Sequence, residues 1–245
     1  MKNYIVIDLE MTGLHPKKDS ILEVGVVRVR NHEIQDTLGF FVNAGRRIPT
    51  EVTELTGITQ DMVEQGCSPE EALHRVVDFV GDDIWVGHNI LYDYSFLKQQ
   101  AVNMRLPFEK QAVDTLHIAR ACMQETQSKS LDSLCDYLGI VRVKNHRAVE
   151  DAKATYLLYE WMEKNFAVEY GKVFVPKPLI YRPKRETPAT KIQKNHLKEL
   201  ADYHKIDIDV SWDNLTRSEA SRITDQIISR YGRGPKRETK RQLRP

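Results

Sequence analysis

Five side chains whose types suit metal binding and proton transfer stand in three short clusters spread over most of the chain. Asp8 and Glu10 lie in the run Tyr4-Ile5-Val6-Ile7-Asp8-Leu9-Glu10-Met11-Thr12-Gly13, Asp93 follows His88-Asn89, and Asp151 follows His146-Arg147-Ala148. Residues i and i+2 of a strand project to one face, so Asp8 and Glu10 present two carboxylates side by side. The flanking Ile5, Val6, Ile7 and Leu9 imply burial on both faces, which is costly for paired acids unless positive charge neutralises them. Hard oxygen donors of this kind suit Mg²⁺ or Mn²⁺. A strand edge with two solvated acids is the alternative for this segment.

Asp93 sits in the first turn of an expected helix, just beyond a short apolar strand. Ligand groups gather at the carboxyl ends of strands in open α/β sheets, although an acid there also stabilises a helix N-terminus unaided. His146 precedes the helix that contains Asp151. A histidine there is the natural proton acceptor for a metal-bound water near neutral pH, with a plain surface histidine as the alternative. Zinc hydrolysis fits poorly because no H-E-x-x-H run occurs. Nucleophilic catalysis fits poorly too, since no G-x-S-x-G elbow and no recognisable cysteine nucleophile is present.

These clusters need a frame that brings them together. Alternating and apolar runs predict strands over Asn3–Glu10, Ser20–Arg30 and Glu33–Val42, the last two joined by a turn at Asn31-His32. A helix is expected over Ser68–Val80 with Ser68 as N-cap and Pro69 at the first helical position. A short strand (Asp83–Gly87), a helix (Leu91–Met104) and another short strand (Gln111–Asp114) follow. Helices are then expected over Thr115–Gln124, Ser130–Tyr137 and Ala148–Lys164. This order predicts an α/β domain over residues 1–175, with a mixed sheet flanked by helices. Pro176, Pro178, Pro183 and Pro188, mixed with basic residues, predict an irregular linker over 176–188. A small basic helical module is expected over 189–232. Its first helix carries Ile192, Leu197, Leu200 and Ala201 on one side, and its second opens on a capping box at Thr216 and Glu219. The basic tail 233–245 is low in apolar residues, so disorder is expected there.

With 245 residues, 41% hydrophobic and 29% charged, the chain has material for a real core and reads as soluble. No apolar run approaches the ~20 residues of a membrane span, and Ile5-Val6-Ile7 is too short for a secretory signal. The three cysteines, Cys67, Cys122 and Cys135, lack metal-type spacing and suggest buried thiols in a reducing cytoplasm. The net charge of +1 divides unevenly: residues 1–175 hold 19 Lys+Arg against 26 Asp+Glu, and residues 176–245 hold 17 against 9. Carboxylates that collect cations, joined to amines that hold phosphates, would account for that division, as would two solvated faces.

The three clusters resemble the motifs of DEDDh-class 3′–5′ exonucleases, the proofreading superfamily with a ribonuclease H-like fold. The resemblance rests on Asp8-Leu9-Glu10-Met11-Thr12-Gly13-Leu14, on Val86 to Leu97 with His88, Asn89 and Asp93, and on Asn145-His146-Arg147-Ala148-Val149-Glu150-Asp151. Leu55-Thr56-Gly57-Ile58-Thr59 and Ser130-Leu131-Asp132-Ser133-Leu134 are similar to the polymerase III epsilon-like branch, while the first motif is also similar to oligoribonucleases. The resemblance covers roughly residues 3–165. It implies that Asp8, Glu10 and Asp151, with Asp93 assisting through ordered water, hold two divalent ions ~3.5–4 Å apart, Mg²⁺ or Mn²⁺. It implies His146 as the general base, with release of nucleoside 5′-monophosphates. Met11, Thr12, Gly13 and Leu14 would meet the terminal nucleotide, with Gly13 permitting close approach and Leu14 wedging against a base. His88, Asn89 and Phe96 would neighbour the penultimate nucleotide, and Thr56 the 3′ end. Helix core packing is an equal alternative for Phe96. The implied partner is nucleic acid with a free 3′ end, single-stranded DNA ahead of RNA, with no membrane association. The branch leaves room for a polymerase or other replication partner. The competing functions are an exoribonuclease and a non-catalytic nucleic-acid-binding adaptor.

Overall fold

The computed structural model describes residues 1–43, 45–142, 146–208 and 210–234. It divides into two compact units, Met1–Arg185 and Glu186–Pro245. In the first, strands β1 (Asn3–Met11), β2 (Ile21–Arg30) and β3 (Glu33–Phe41) form an antiparallel meander. Two short helices, α1 (Thr50–Thr56) and α2 (Gln60–Glu64), lead to α3 (Pro69–Val80). There follow β4 (Trp85–Gly87), α4 (Leu91–Met104), β5 (Gln111–Asp114), α5 (Thr115–Cys122), α6 (Leu131–Leu138) and α7 (Ala148–Phe166). A final strand, β6 (Lys177–Pro178), completes a mixed six-stranded sheet in the order β3-β2-β1-β4-β5-β6. β4 runs parallel to β1 and β5 parallel to β4, while β6 is antiparallel to β5.

The period-2 alternation of β1 divides the core into two layers. Ile5, Ile7 and Leu9 pack on one face with Leu73, Val76 and Val80 of α3 and Tyr94 and Leu97 of α4. Tyr4 and Val6 pack on the other with Ile118 of α5, Leu134 of α6 and Leu158, Tyr159 and Met162 of α7. Asp8 and Glu10 share the parity of Tyr4 and Val6, so they extend the α7 side of the sheet beyond its apolar part.

Several expectations shift by small amounts. The Ser68 hydroxyl accepts from the Glu71 amide as foreseen, and Ser130 caps α6 in the same way. α5 ends at Cys122 rather than Gln124. The pair α1–α2 was not foreseen, because two helices of 7 and 5 residues are too short to show a helical period.

The expected linker over 176–188 is also partly wrong. Lys177 and Pro178 pair with Ala112 and Gln111, and the Leu179 amide donates to the Lys110 carbonyl. Leu179 and Tyr181 pack on the core, and the Gln99 side chain donates to the Lys184 carbonyl. A proline suits this strand because an edge position leaves its missing N–H without cost. The first unit therefore ends at Arg185.

The second unit holds α8 (Lys191–His204) and α9 (Arg217–Tyr231). Leu197, Leu200, Leu215, Ala220 and Ile227 form its core. Ile192, placed on the apolar face by the sequence pattern, is 72% exposed. The reciprocal capping box forms at Thr190 and Gln193 of α8, while Thr216 caps α9 through the Glu219 amide. Residues 235–245, which hold most of the expected disordered tail, lie outside the described residues. Among the described residues no helix is long and apolar enough to cross a membrane.

Candidate active site

β1 outruns its parallel neighbour. β4 pairs only with Ile5 and Val6, so from Ile7 onward the β1 edge facing β4 lacks a sheet partner. A buried strand amide must find an acceptor, and the Asp93 carboxylate supplies it, accepting from the Leu9 N–H at 2.9 Å. Asp93 thus arrives from the first turn of α4 and is pinned between Asp8 and Glu10 along the backbone. Asn89, at the β4–α4 junction, has φ +64, and its amide donates to Asp114 at 2.9 Å. This left-handed turn re-aims the chain from strand to helix.

The third cluster reaches the site because α7 sits directly on β2. A Cβ on Gly25 would fall 2.1–2.3 Å from the Ala148 carbonyl group and the Val149 nitrogen, so only glycine permits this contact. His146, also left-handed at φ +56, precedes the helix. Ligand atoms of Glu10, His146 and Asp151 all lie within 4.8 Å of one another. Asp93 and Asp151 are buried, and Asp8, Glu10 and His146 are half-buried.

The electrostatics match this crowding. Burial raises Asp8 well above the ordinary carboxylate range, reinforced by the charges of Asp93, Glu10, Asp151 and Glu23. Glu10 is pushed up to about 8 by burial and then by Asp151, Glu23 and Asp93, with Arg147 opposing. Asp93 rises to about 7 through burial, against the backbone hydrogen bonds it accepts. Asp151 is raised by burial and held back by Arg142, whose guanidinium lies 2.7 Å from it and 2.5 Å from Asp132. Four oxygen-donor acids whose charges are mutually unfavourable fit a hard divalent cation, which would relieve that repulsion.

The expected substrate contacts divide. Leu14 is 63% exposed, and Met11 is half-buried at the end of β1. The Thr12 hydroxyl accepts from the Ser20 amide and closes the loop after β1. A Cβ on Gly13 would meet the Asp19 carboxylate at 2.5–2.8 Å. Phe96 is 2% exposed and packs in the core, in keeping with its packing alternative rather than a nucleotide contact. Both His88 ring nitrogens are engaged within the fold, by the Thr115 hydroxyl at 2.9 Å and the Lys129 carbonyl at 2.8 Å. Buried Thr56 uses its hydroxyl locally, donating to the Val52 carbonyl and accepting from the Ile58 amide. Asn145 of the third motif lies outside the described residues.

Sequence reasoning passed over Glu23, Arg142 and Arg147. Glu23 is 4% exposed, faces Glu10 in the β1–β2 register and binds Arg147 through two nitrogens at 2.9–3.2 Å. The signal was present: an acid within Ile21-Leu22-Glu23-Val24 is as anomalous in an apolar strand as Asp8 and Glu10.

The sequence model of the RNase T family, described as Exonuclease, matches residues 5–159. A DNA polymerase III of PolC type from Clostridium perfringens is 36% identical over 166 residues, which are 68% of this chain and 12% of that protein. The chain thus spans about an eighth of the length of that curated relative. Among solved structures, Escherichia coli exonuclease I in complex with a dT13 oligonucleotide aligns with a TM-score of 0.64 at 17% identity, covering 70% of this chain and 43% of that one. The nuclease domain of 3′hExo, a DEDDh family member bound to rAMP, aligns at 0.58 and 22%, covering 67% and 93%. At such identities the structural likeness speaks for the fold, a ribonuclease H-like mixed sheet flanked by helices.

Proposed function

Since the match over residues 5–159 makes this chain a member of the RNase T exonuclease family, we propose that its first unit hydrolyses nucleic acid from a free 3′ end. The gathering of Glu10, His146 and Asp151 within 4.8 Å is the observation that carries this function. The products would be nucleoside 5′-monophosphates, and single-stranded DNA is the favoured substrate. The DNA polymerase III relative supports DNA over RNA.

Asp8, Glu10 and Asp151, with Asp93 assisting, would hold two divalent cations, Mg²⁺ or Mn²⁺. Such ions, when bound, stabilise charge developing on the attacking and departing oxygens of a phosphodiester. His146 takes the proton of the attacking water on a ring nitrogen. Asp93 keeps the carboxyl end of β1 in register through the Leu9 amide. Leu14 offers an exposed apolar surface to the terminal base, and Asn89 stands at the junction of β4 and α4. Catalysis is assigned to the unit ending at Arg185, and added affinity for nucleic acid to the residues beyond it. A replication polymerase is the proposed partner class, and the cytoplasm is the proposed compartment.

Digestion of 3′- and 5′-labelled DNA and RNA with Mg²⁺, with and without chelator, tests this function beside an Asp8→Ala control. Mononucleotides released from the 3′ end of DNA, lost with chelator or in the variant, are expected. Preferential loss of RNA would move the substrate to ribonucleotides. Equal binding by wild type and variant with no degradation by either would leave a nucleic-acid adaptor.

A further inference from the structure

We propose that Glu23 and Arg147 form a positioning clamp that sets His146 against the reacting water. The proposal rests on the role of His146 given above. α7 begins without a side-chain N-cap, since Arg147 occupies that position with extended φ −131 and ψ 115. The first helical amide, that of Ala148, instead donates to a Glu23 carboxylate oxygen at 3.2 Å. The same carboxylate receives the Arg147 Nε at 3.0 Å and the second guanidinium nitrogen at 2.9 Å through its two oxygens. One buried acid on β2 therefore holds both the backbone and the side chain that immediately follow His146. The guanidinium also lies 5.3 Å from the centroid of Phe41, and Gly25 lets the helix start rest on β2 two residues further along.

The geometry separates two neighbouring acids by task. Glu10 and Glu23 are register partners on adjacent strands. Glu10 turns to His146 and Asp151, while Glu23 is taken up by Arg147. A planar guanidinium gripping a carboxylate with two nitrogens fixes orientation as well as distance, which an ammonium cannot do. His146 itself is held in a left-handed backbone conformation at φ +56. Such a conformation persists in a non-glycine residue only when its surroundings impose it. The Glu23–Arg147 pair anchors the residue that immediately follows His146.

The test is a double-mutant cycle under single-turnover conditions with enzyme in excess, so that slow variants remain measurable. Arg147→Lys and Glu23→Gln are each combined with His146→Ala, and cleavage of a 3′-labelled oligonucleotide is followed with its binding and the thermal midpoint. Each single clamp variant is expected to cleave about 10- to 100-fold more slowly, the loss that follows when a catalytic group is displaced by about 1 Å. In the His146→Ala background the same changes should cost less than about 2-fold, because the group they position is gone. Substrate affinity should stay near that of wild type. Equal losses in both backgrounds would overturn the clamp and leave the role of His146 intact. Undiminished cleavage by His146→Ala would overturn the site assignment and the clamp with it. Arg147→Lys preserves charge and bulk, so the cycle can be closed even where Glu23→Gln fails to fold.

Discussion

Replacing His146 by Ala is expected to lower turnover by roughly 10²–10⁴-fold with little change in oligonucleotide affinity, as measured by single-turnover cleavage beside equilibrium binding. A matching loss of affinity would make it a binding residue instead. The acids around it give a second residue-scale prediction, on stability against pH. Glu10 at about 8 and Asp93 at about 7 keep their protons in the fold above the ordinary range of ~4 they have when unfolded. Between those limits the folded state binds more protons than the unfolded one, so stability falls as pH rises. The metal-free protein should therefore melt at a lower temperature at pH 8.5 than at pH 5. Mg²⁺ should raise the midpoint more at the higher pH, where it meets ionised carboxylates. A midpoint that is flat or rises over this range without metal would contradict the strained acid cluster. Glu10, His146 and Asp151, which the fold brings within 4.8 Å, could be proposed from the sequence because three motifs in one order carry them; singly, Asp93 reads as helix-terminal charge and His146 as a surface histidine. The local bonding of Thr12, Thr56 and His88 was not legible there, since their partners Ser20, Ile58, Lys129 and Thr115 carry no mark of the pairing.

At the scale of elements, the seat of α7 on β2 decides whether the third cluster reaches the first. Gly25→Ala would drive a methyl group into the Ala148 backbone, which cannot turn aside as a side chain would. A loss of ~1–3 kcal/mol is expected in denaturant unfolding, as for overpacking in a core, together with slower cleavage as α7 lifts. Gly171→Ala, where a Cβ meets nothing within 4 Å, is the matched control and should change neither. Equal effects of the two substitutions would mean that α7 adapts to the methyl group. Periodicity predicted the existence of α7, but a lone glycine in Val24-Gly25-Val26 could not announce that a helix terminus rests on it. β6 was missed for a related reason. Two residues beside prolines carry no strand signal, and only the exposed edge of β5 makes them one.

At the scale of the whole molecule, the placement of the boundary has a consequence that can be measured. A chain cut after Arg185 keeps β6 and the Gln99–Lys184 contact and should melt close to the full chain's catalytic unit, with activity retained. A chain cut after Phe174 loses the edge strand with Leu179 and Tyr181, and its midpoint should fall by several degrees. Identical midpoints would place β6 outside the cooperative unit. Charge bears on the remainder. Residues 186–234 are balanced at eight Lys+Arg and eight Asp+Glu, while 176–185 hold four basic residues and no acid, and 235–245 hold five against one. Removal of residues 186–245 should weaken oligonucleotide affinity and flatten its dependence on salt, because fewer counterions are released on binding. An unchanged salt slope would take the nucleic-acid role away from that segment.

Residue type and spacing were enough to mark which groups are chemically competent and which elements carry them. Carboxylates embedded in apolar strands are costly enough to be conspicuous, and periodicity is written locally along the chain. Tertiary structure alone decided how those groups meet. That Asp93 closes on the Leu9 amide, that Glu23 takes Arg147, and that Gln111 and Ala112 find Pro178 and Lys177 are contacts between residues 65 to 124 positions apart. Such pairings depend on where β1 outruns β4 and where a missing side chain lets α7 approach β2. Both are properties of packed surfaces and of no short stretch of sequence.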